Sequence, residues 1–117
     1  MTHEQHQTCI EACVRCAQEC EHCSEACLHE ACLHEADVQA LAECIRLDRD
    51  CAAICWLAAS LMSRGSQFMS EVCRVCAEAC DACAAECGKH DDDQCQRCAG
   101  ECRRCADDCR RMAGQAV

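Results

Sequence analysis

The chain has 117 residues, room for one compact domain over 1–117 and not for two. It carries 20 Cys, no Tyr and one each of Phe and Trp, and only 20 residues are Val, Ile, Leu, Met, Phe or Trp, too few for an ordinary packed core. The net charge of −10 argues against a nucleic-acid partner, which needs a basic face, and no apolar run of 18 residues exists to predict a membrane span.

Helix one is predicted over 3–30. Thr2 with Gln5 three residues on reads as a capping box. Cys9, Cys13, Cys16, Cys20, Cys23 and Cys27 then step by alternating fours and threes, the inward stripe of a helix in a bundle. His22, among Glu19, Glu21 and Glu25, is expected in solvent. The pentapeptide CLHEA occurs at 27–31 and again at 32–36. Five residues advance a helix by about 500°, so a continuous helix would swing Cys32 off the stripe. A break or looser turn is expected there.

Helix two is predicted over 37–64. Its stripe is thinner, Cys44, Cys51 and Cys55, with Asp48 and Ala58 on the positions where Cys is missing. By register Asp48 faces the core, as an acceptor behind the ligands or an oxygen ligand itself. A small rotation would instead turn Leu47 in and Asp48 out, and both readings stay open. Val38, Leu41, Ile45, Leu47, Ile54, Trp56, Leu57 and Leu61 all lie on this helix, more than one inward stripe can bury. The surplus predicts a homo-oligomer interface along it.

Gly65 and Ser66 read as a C-terminal glycine followed by an N-cap. Helix three, 67–87, carries Cys73, Cys76, Cys80, Cys83 and Cys87, and Gly88 ends it. Asp91, with Gln94 three residues later, opens helix four, 92–113, and Asp92 and Asp93 suit its positive end. This helix carries Cys95, Cys98, Cys102, Cys105 and Cys109. From Asp91 to Arg111 its only other apolar residues are Ala99 and Ala106. Short links make neighbours antiparallel. The predicted fold is therefore all-α, an up-down-up-down four-helix bundle with a Cys-lined core.

Free thiols alone would make a loose core. Disulfides within a helix do not fit the spacing, because Cβ atoms at i, i+4 lie about 5–6 Å apart and a disulfide needs about 3.5–4.5 Å; disulfides between helices remain possible, but they do not need a Cys at every inward position. Metal thiolates remain, and soft sulfur selects Cu(I), Zn(II) or iron–sulfur clusters. Iron–sulfur ligands sit in compact loops rather than along 20-residue helices. Zn(II) takes four thiolates, so 20 Cys would hold about five ions and leave a large negative charge buried. Cu(I) takes two or three thiolates, and shared sulfurs allow about one ion per Cys and a neutral core. Two collinear metal–sulfur bonds span about 4–4.5 Å, within reach of an i, i+4 pair. Such pairs are Cys9/Cys13, Cys16/Cys20, Cys23/Cys27, Cys51/Cys55, Cys76/Cys80, Cys83/Cys87, Cys98/Cys102 and Cys105/Cys109.

The stripes, the segments Cys102-Arg103-Arg104-Cys105 and Cys109-Arg110-Arg111-Met112, and the stretch Cys44-Ile45-Arg46-Leu47-Asp48-Arg49-Asp50-Cys51 resemble the Cys-rich four-helix-bundle copper storage proteins over nearly the whole chain. The opening Met1 to His6 has no basic start and no apolar stretch, so no secretory leader and a cytoplasmic location are expected. That is similar to the family's cytosolic branch. The resemblance implies a store of Cu(I) filling the bundle, a homotetramer, and a His-bearing end as the mouth. The CLHEA duplication lengthens the first link by one five-residue unit relative to the family pattern.

The topology puts Cys32, His29, His34 and His90 at one end, and His6, Met62, Met69 and Met112 at the other. At the first end the expectation is that His90, with His29 or His34, hands Cu(I) to the thiolates. The bland reading makes all three solvated surface histidines. At the second end Met62 and Met69 are expected to form an apolar plug with Leu57, Leu61 and Phe68. The expected ligands are thus the 20 Cys with His90, His29, His34 and Asp48, and the cargo is copper. The copper donor or acceptor protein stays unidentified. A metallothionein-like Zn(II) or Cd(II) buffer for detoxification is the alternative. Rigid helical spacing opposes it. Catalysis is not expected, since the C-x-x-C pairs such as Cys13/Cys16 arise automatically from the stripe spacing.

Overall fold

The computed structural model describes the backbone of residues 3–33 and 38–114, and the side chains of all of these except 3, 5 and 31–33. It contains four helices: α1 His3–Leu33, α2 Val38–Ser63, α3 Met69–Cys87 and α4 Asp93–Ala113. No strand occurs among the described residues.

α1 runs three residues past its expected end, through the first CLHEA unit and into the second. The expected break at the repeat is thus absent up to Leu33. Leu, Glu and Ala favour helix, and no Gly or Pro interrupts them. Cys32 stands in the last turn of α1, its side chain outside the described residues. His34 lies outside them altogether, as does the Thr2 capping box.

α2 stops where expected. Gly65 adopts a left-handed φ of 64°. Its N–H donates to the Met62 carbonyl at 3.1 Å, and the Ser66 N–H donates to the Leu61 carbonyl at 3.0 Å. This pair of bonds closes the free carbonyls of the helix end. Ser66 is not the N-cap of α3. Its hydroxyl accepts the Phe68 N–H at 3.1 Å, which opens a turn, and the helix starts only at Met69. Gly88 follows the last residue of α3 with a right-handed φ of −63°. Asp92, not Asp91, caps α4, without a side-chain bond; its carbonyl accepts the Cys95 and Gln96 N–H groups at 3.0 and 3.1 Å.

α1 packs on α2 and α4, and α3 packs on α2 and α4, while the diagonal helices meet only through side chains on the bundle axis, as in Cys16–Cys80 and Asp48–Cys98. The bundle is square in section, 49 × 19 × 18 Å. Alanines set that girth. Cys16, Cys51, Cys76, Cys83, Cys98 and Cys105 are each followed by a buried Ala, namely Ala17, Ala52, Ala77, Ala84, Ala99 and Ala106. These small side chains sit at the helix–helix seams, let the backbones approach, and bring thiols of facing helices together.

The apolar surplus of α2 divides. Leu41 is buried, and Ile45, Leu47 and Ile54 lean on the core. Val38, Trp56 and Leu57 stay exposed, Trp56 at 41%.

Candidate metal centre

Nineteen Cys are free and buried, every predicted ligand of that type except Cys32. The Sγ atoms form a continuous column. Contacts across helices include Cys13–Cys109, Cys16–Cys102, Cys20–Cys98, Cys27–Cys95, Cys51–Cys80 and Cys55–Cys76, all at 3.6 Å, and Cys44–Cys87 at 3.4 Å. None approaches the ~2.05 Å of a disulfide.

Six of the expected i, i+4 pairs stand at 3.8–4.0 Å: Cys23/Cys27, Cys51/Cys55, Cys76/Cys80, Cys83/Cys87, Cys98/Cys102 and Cys105/Cys109. That is the span of a two-coordinate monovalent ion with almost no movement. In the other two pairs, Cys13 and Cys16 make their shortest contacts across to α4 instead.

The sulfurs also gather in fours whose atoms all lie within 4.8 Å of one another. One group is Cys16, Cys20, Cys51 and Cys102, a second is Cys16, Cys51, Cys55 and Cys80, and a third is Cys20, Cys83, Cys98 and Cys102. Cys16, Cys20, Cys51 and Cys102 each belong to two of these groups. Shared sulfurs are what bridging thiolates require. Hydrogen bonding redistributes charge along the same column. Cys51 is pushed down, first because Cys102 and then Cys16 and Cys20 donate to its sulfur, while Cys20 and Cys55 are pushed up by their bonds to Cys102 and Cys105 respectively, and further by burial.

Asp48 points into this column at 0% exposure. The rotation that would have turned Leu47 inward does not occur. Its Oδ1 accepts from the thiols of Cys83 at 3.1 Å, Cys98 at 3.2 Å and Cys87 at 3.4 Å, and its Oδ2 lies 3.8 Å from Cys44 Sγ. Burial first, and negative charge at Cys98 next, push the carboxyl up to about 7. An oxygen thus replaces sulfur in one layer, next to the layer of Cys23, Cys27, Cys44 and Cys95.

Beyond that layer stands His90. It is not a solvated loop residue. Its N–H donates to the Cys87 carbonyl at 3.1 Å, its Nε2 lies 2.9 Å from Glu86 Oε2, and its ring is mostly buried. Glu86, which the ligand assignment missed, is held below the usual carboxylate range, chiefly by His90. Its spacing four residues before His90 is the signal that points to it. Gln96 ties the link down by donating to the carbonyls of Gly88 and His90 at 3.3 and 2.7 Å. His29 is exposed on α1, and so is His22.

At the opposite end the expected plug is corrected. Leu57 is 49% and Phe68 56% exposed, so neither seals the core. The turn after Ser66 carries Phe68 outward, and Leu57 lies on the outer face of α2. Met62 is buried there as expected, at 1% exposure, Met69 packs against the core, and Met112, at 5%, takes the place of Leu57 and Phe68.

A family model described as Copper storage protein matches residues 2–114. Among curated proteins, the uncharacterized cysteine-rich protein YhjQ of Bacillus subtilis is 51% identical over 67 residues, and the chain spans 57% of that relative's length, by 57% of its own. Among solved structures, the Cu(I)-bound copper storage protein BsCsp3 is 49% identical with a TM-score of 0.86, over 94% of this chain and 99% of that one. Apo copper storage protein 3 from Bacillus subtilis is 49% identical with a TM-score of 0.82, over 92% and 98%. A cytosolic copper storage protein from Streptomyces lividans, loaded with five coppers, is 36% identical with a TM-score of 0.87, over 98% and 97%.

Proposed function

The chain belongs to the copper storage protein family, and on that premise we propose that it stores Cu(I) in the cytoplasm on its core thiolates, at about one ion per Cys. The column of thiols at 3.4–4.0 Å, shared between overlapping groups of four, carries the reading. Each thiol gives up its proton as copper binds, so loading releases about one proton per ion and leaves the core near neutral. The same step adds the bonds that a core of Cys and Ala lacks, so cargo and stability rise together. The role is capacity, without catalysis.

The ligand set is Cys9, Cys13, Cys16, Cys20, Cys23, Cys27, Cys32, Cys44, Cys51, Cys55, Cys73, Cys76, Cys80, Cys83, Cys87, Cys95, Cys98, Cys102, Cys105 and Cys109, with the Asp48 oxygen completing its own layer. Copper enters past His90, aided by His29 or His34, and reaches Cys87, Cys44, Cys27 and Cys95 first. The Glu86 carboxylate orients the His90 ring until an arriving ion takes its place. Exposed Val38, Trp56 and Leu57 on α2 supply the contact between copies in a homotetramer.

Anaerobic Cu(I) titration against a colorimetric chelator tests the store. Saturation at one or two ions per chain would sink it. Loading and release at wild-type rates in His90→Ala would remove that residue from the path, and a monomer by light scattering would remove the tetramer.

A further inference from the structure

Every inward stripe ends, on the side away from His90, in a soft and uncharged donor. On α1 the line steps back three residues from Cys9 to His6. On α2 it runs from Cys55 through Ala58 to Met62, on α3 back four from Cys73 to Met69, and on α4 forward three from Cys109 to Met112. The helices are antiparallel in turn, so these four residues share one layer. It lies just below the layer of Cys9, Cys73 and Cys109, in which Cys9 and Cys109 stand 3.9 Å apart. Met62 and Met112 are buried, His6 and Met69 are part-buried, and Met69 packs against the core.

His6 gives the second observation. Its Nε2 is buried and has no hydrogen-bond partner among the described residues. Burying an unpaired polar nitrogen costs about 1–3 kcal/mol, which an apolar seal has no reason to carry. The side chains best suited to such a seal, Leu57 and Phe68, lie in solvent.

We infer that this layer is a distinct Cu(I) site, in which His6 Nε2 and the thioether sulfurs of Met62, Met112 and Met69 bind one ion. Three thioethers are soft enough to select Cu(I) over Zn(II), Mg(II) or Ca(II), and an imidazole accepts it beside them. With the proton on Nδ1, the Nε2 lone pair is free to bind. No thiol has to lose a proton here, unlike in the thiolate column. The site carries one positive charge, faced by the Cys9, Cys73 and Cys109 layer. Neutral donors hold the ion less tightly than thiolates do. This site therefore fills last and empties first, and it gives the store an exchange point opposite His90. The inference rests on the Cu(I) reading of the core, and not on which end loads the column.

The test is anomalous diffraction at the copper edge from crystals of the full chain, saturated with Cu(I) under anaerobic conditions. The expected result is a peak bonded to His6 Nε2 and at least one Met sulfur. A filled thiolate column with no peak in this layer would overturn the site and leave the store standing. A peak held by Cys9, Cys73 and Cys109 alone would overturn it equally. Copper absent from the column too would overturn both. In solution, the variant His6→Gln, Met62→Leu, Met112→Leu, close in volume, is expected to bind about one ion fewer per chain. It is also expected to lose the fastest phase of release to a chelator. Unchanged stoichiometry and release in that variant, folded by circular dichroism, would refute the site.

Discussion

Replacing Asp48 with Asn removes one ionisation from the core and keeps an acceptor oxygen for the thiols of Cys83, Cys98 and Cys87. In the folded chain burial, then charge at Cys98, raises the Asp48 carboxyl from 3.8 to about 7. Below 3.8 both folded and unfolded chains hold the proton, and the raised value costs nothing. Between 3.8 and about 7 the unfolded chain has lost a proton that the folded chain keeps, so stability falls as pH rises. Above that window both are ionised and the penalty is constant. Its ceiling is about 4 kcal/mol, the bonds from the surrounding thiols already included. The assay is urea unfolding of reduced, metal-free protein under anaerobic conditions, from about pH 4.5 to about pH 8. All other titrating groups are common to both proteins and cancel in the difference. The Asn variant is expected to gain about 2–4 kcal/mol on wild type across that range. Any cost of seating its amide appears as an offset independent of pH. Parallel stability curves would refute the reasoning, because the carboxyl would then not be ionising at a raised value inside the core.

Three further outcomes follow from the packing. α4 buries only Cys95, Cys98, Cys102, Cys105, Cys109, Ala99, Ala106 and Met112, and its Arg97–Glu19 and Arg110–Asp81 pairs are exposed surface bridges of small value. Hydrogen exchange on metal-free protein should therefore find α4 less protected than α1, and copper should slow exchange in α4 most; equal protection of the two helices contradicts this. Gly65→Ala puts a Cβ on a residue at φ 64° with open space around it, so its whole cost is conformational, about 1–2 kcal/mol, read as a lowered melting temperature. Ala106→Leu forces a larger side chain into a fully buried seam, which should cost about 1–3 kcal/mol and reduce copper capacity by parting α4 from its neighbours; full capacity in this variant would separate the girth of the bundle from its function.

The stripe was legible because the ligand spacing and the core spacing are the same thing here. Threes and fours place each thiol inward, and on α1, α3 and α4 Cys alone holds the middle of that face. Helix ends were less so. Ser66 has the side chain of an N-cap, yet its oxygen takes the N–H two residues on and starts a turn, a choice set by how the chain must leave Gly65. The CLHEA repeat suggested a break, but local propensity carries α1 on to Leu33. Asp48 beside Leu47 had two possible orientations from α2 alone. What selects one is the set of thiols offered by α3 and α4, which no local pattern contains. The same holds for Leu57 and Phe68, apolar residues near an apolar end that the turn at 64–68 and the outer face of α2 keep in solvent.

The Cys–Ala pairs along the seams have a consequence for how such a container can grow. Alanine fixes the distance between helices, so the bore admits one column of sulfur and cannot widen without losing the contacts that define it. Volume can be added only along the axis. One heptad on each of four helices adds about eight thiols for about 10.5 Å of length. Capacity is therefore proportional to length, as in a graduated tube, and variants that hold more metal should be longer bundles rather than fatter ones.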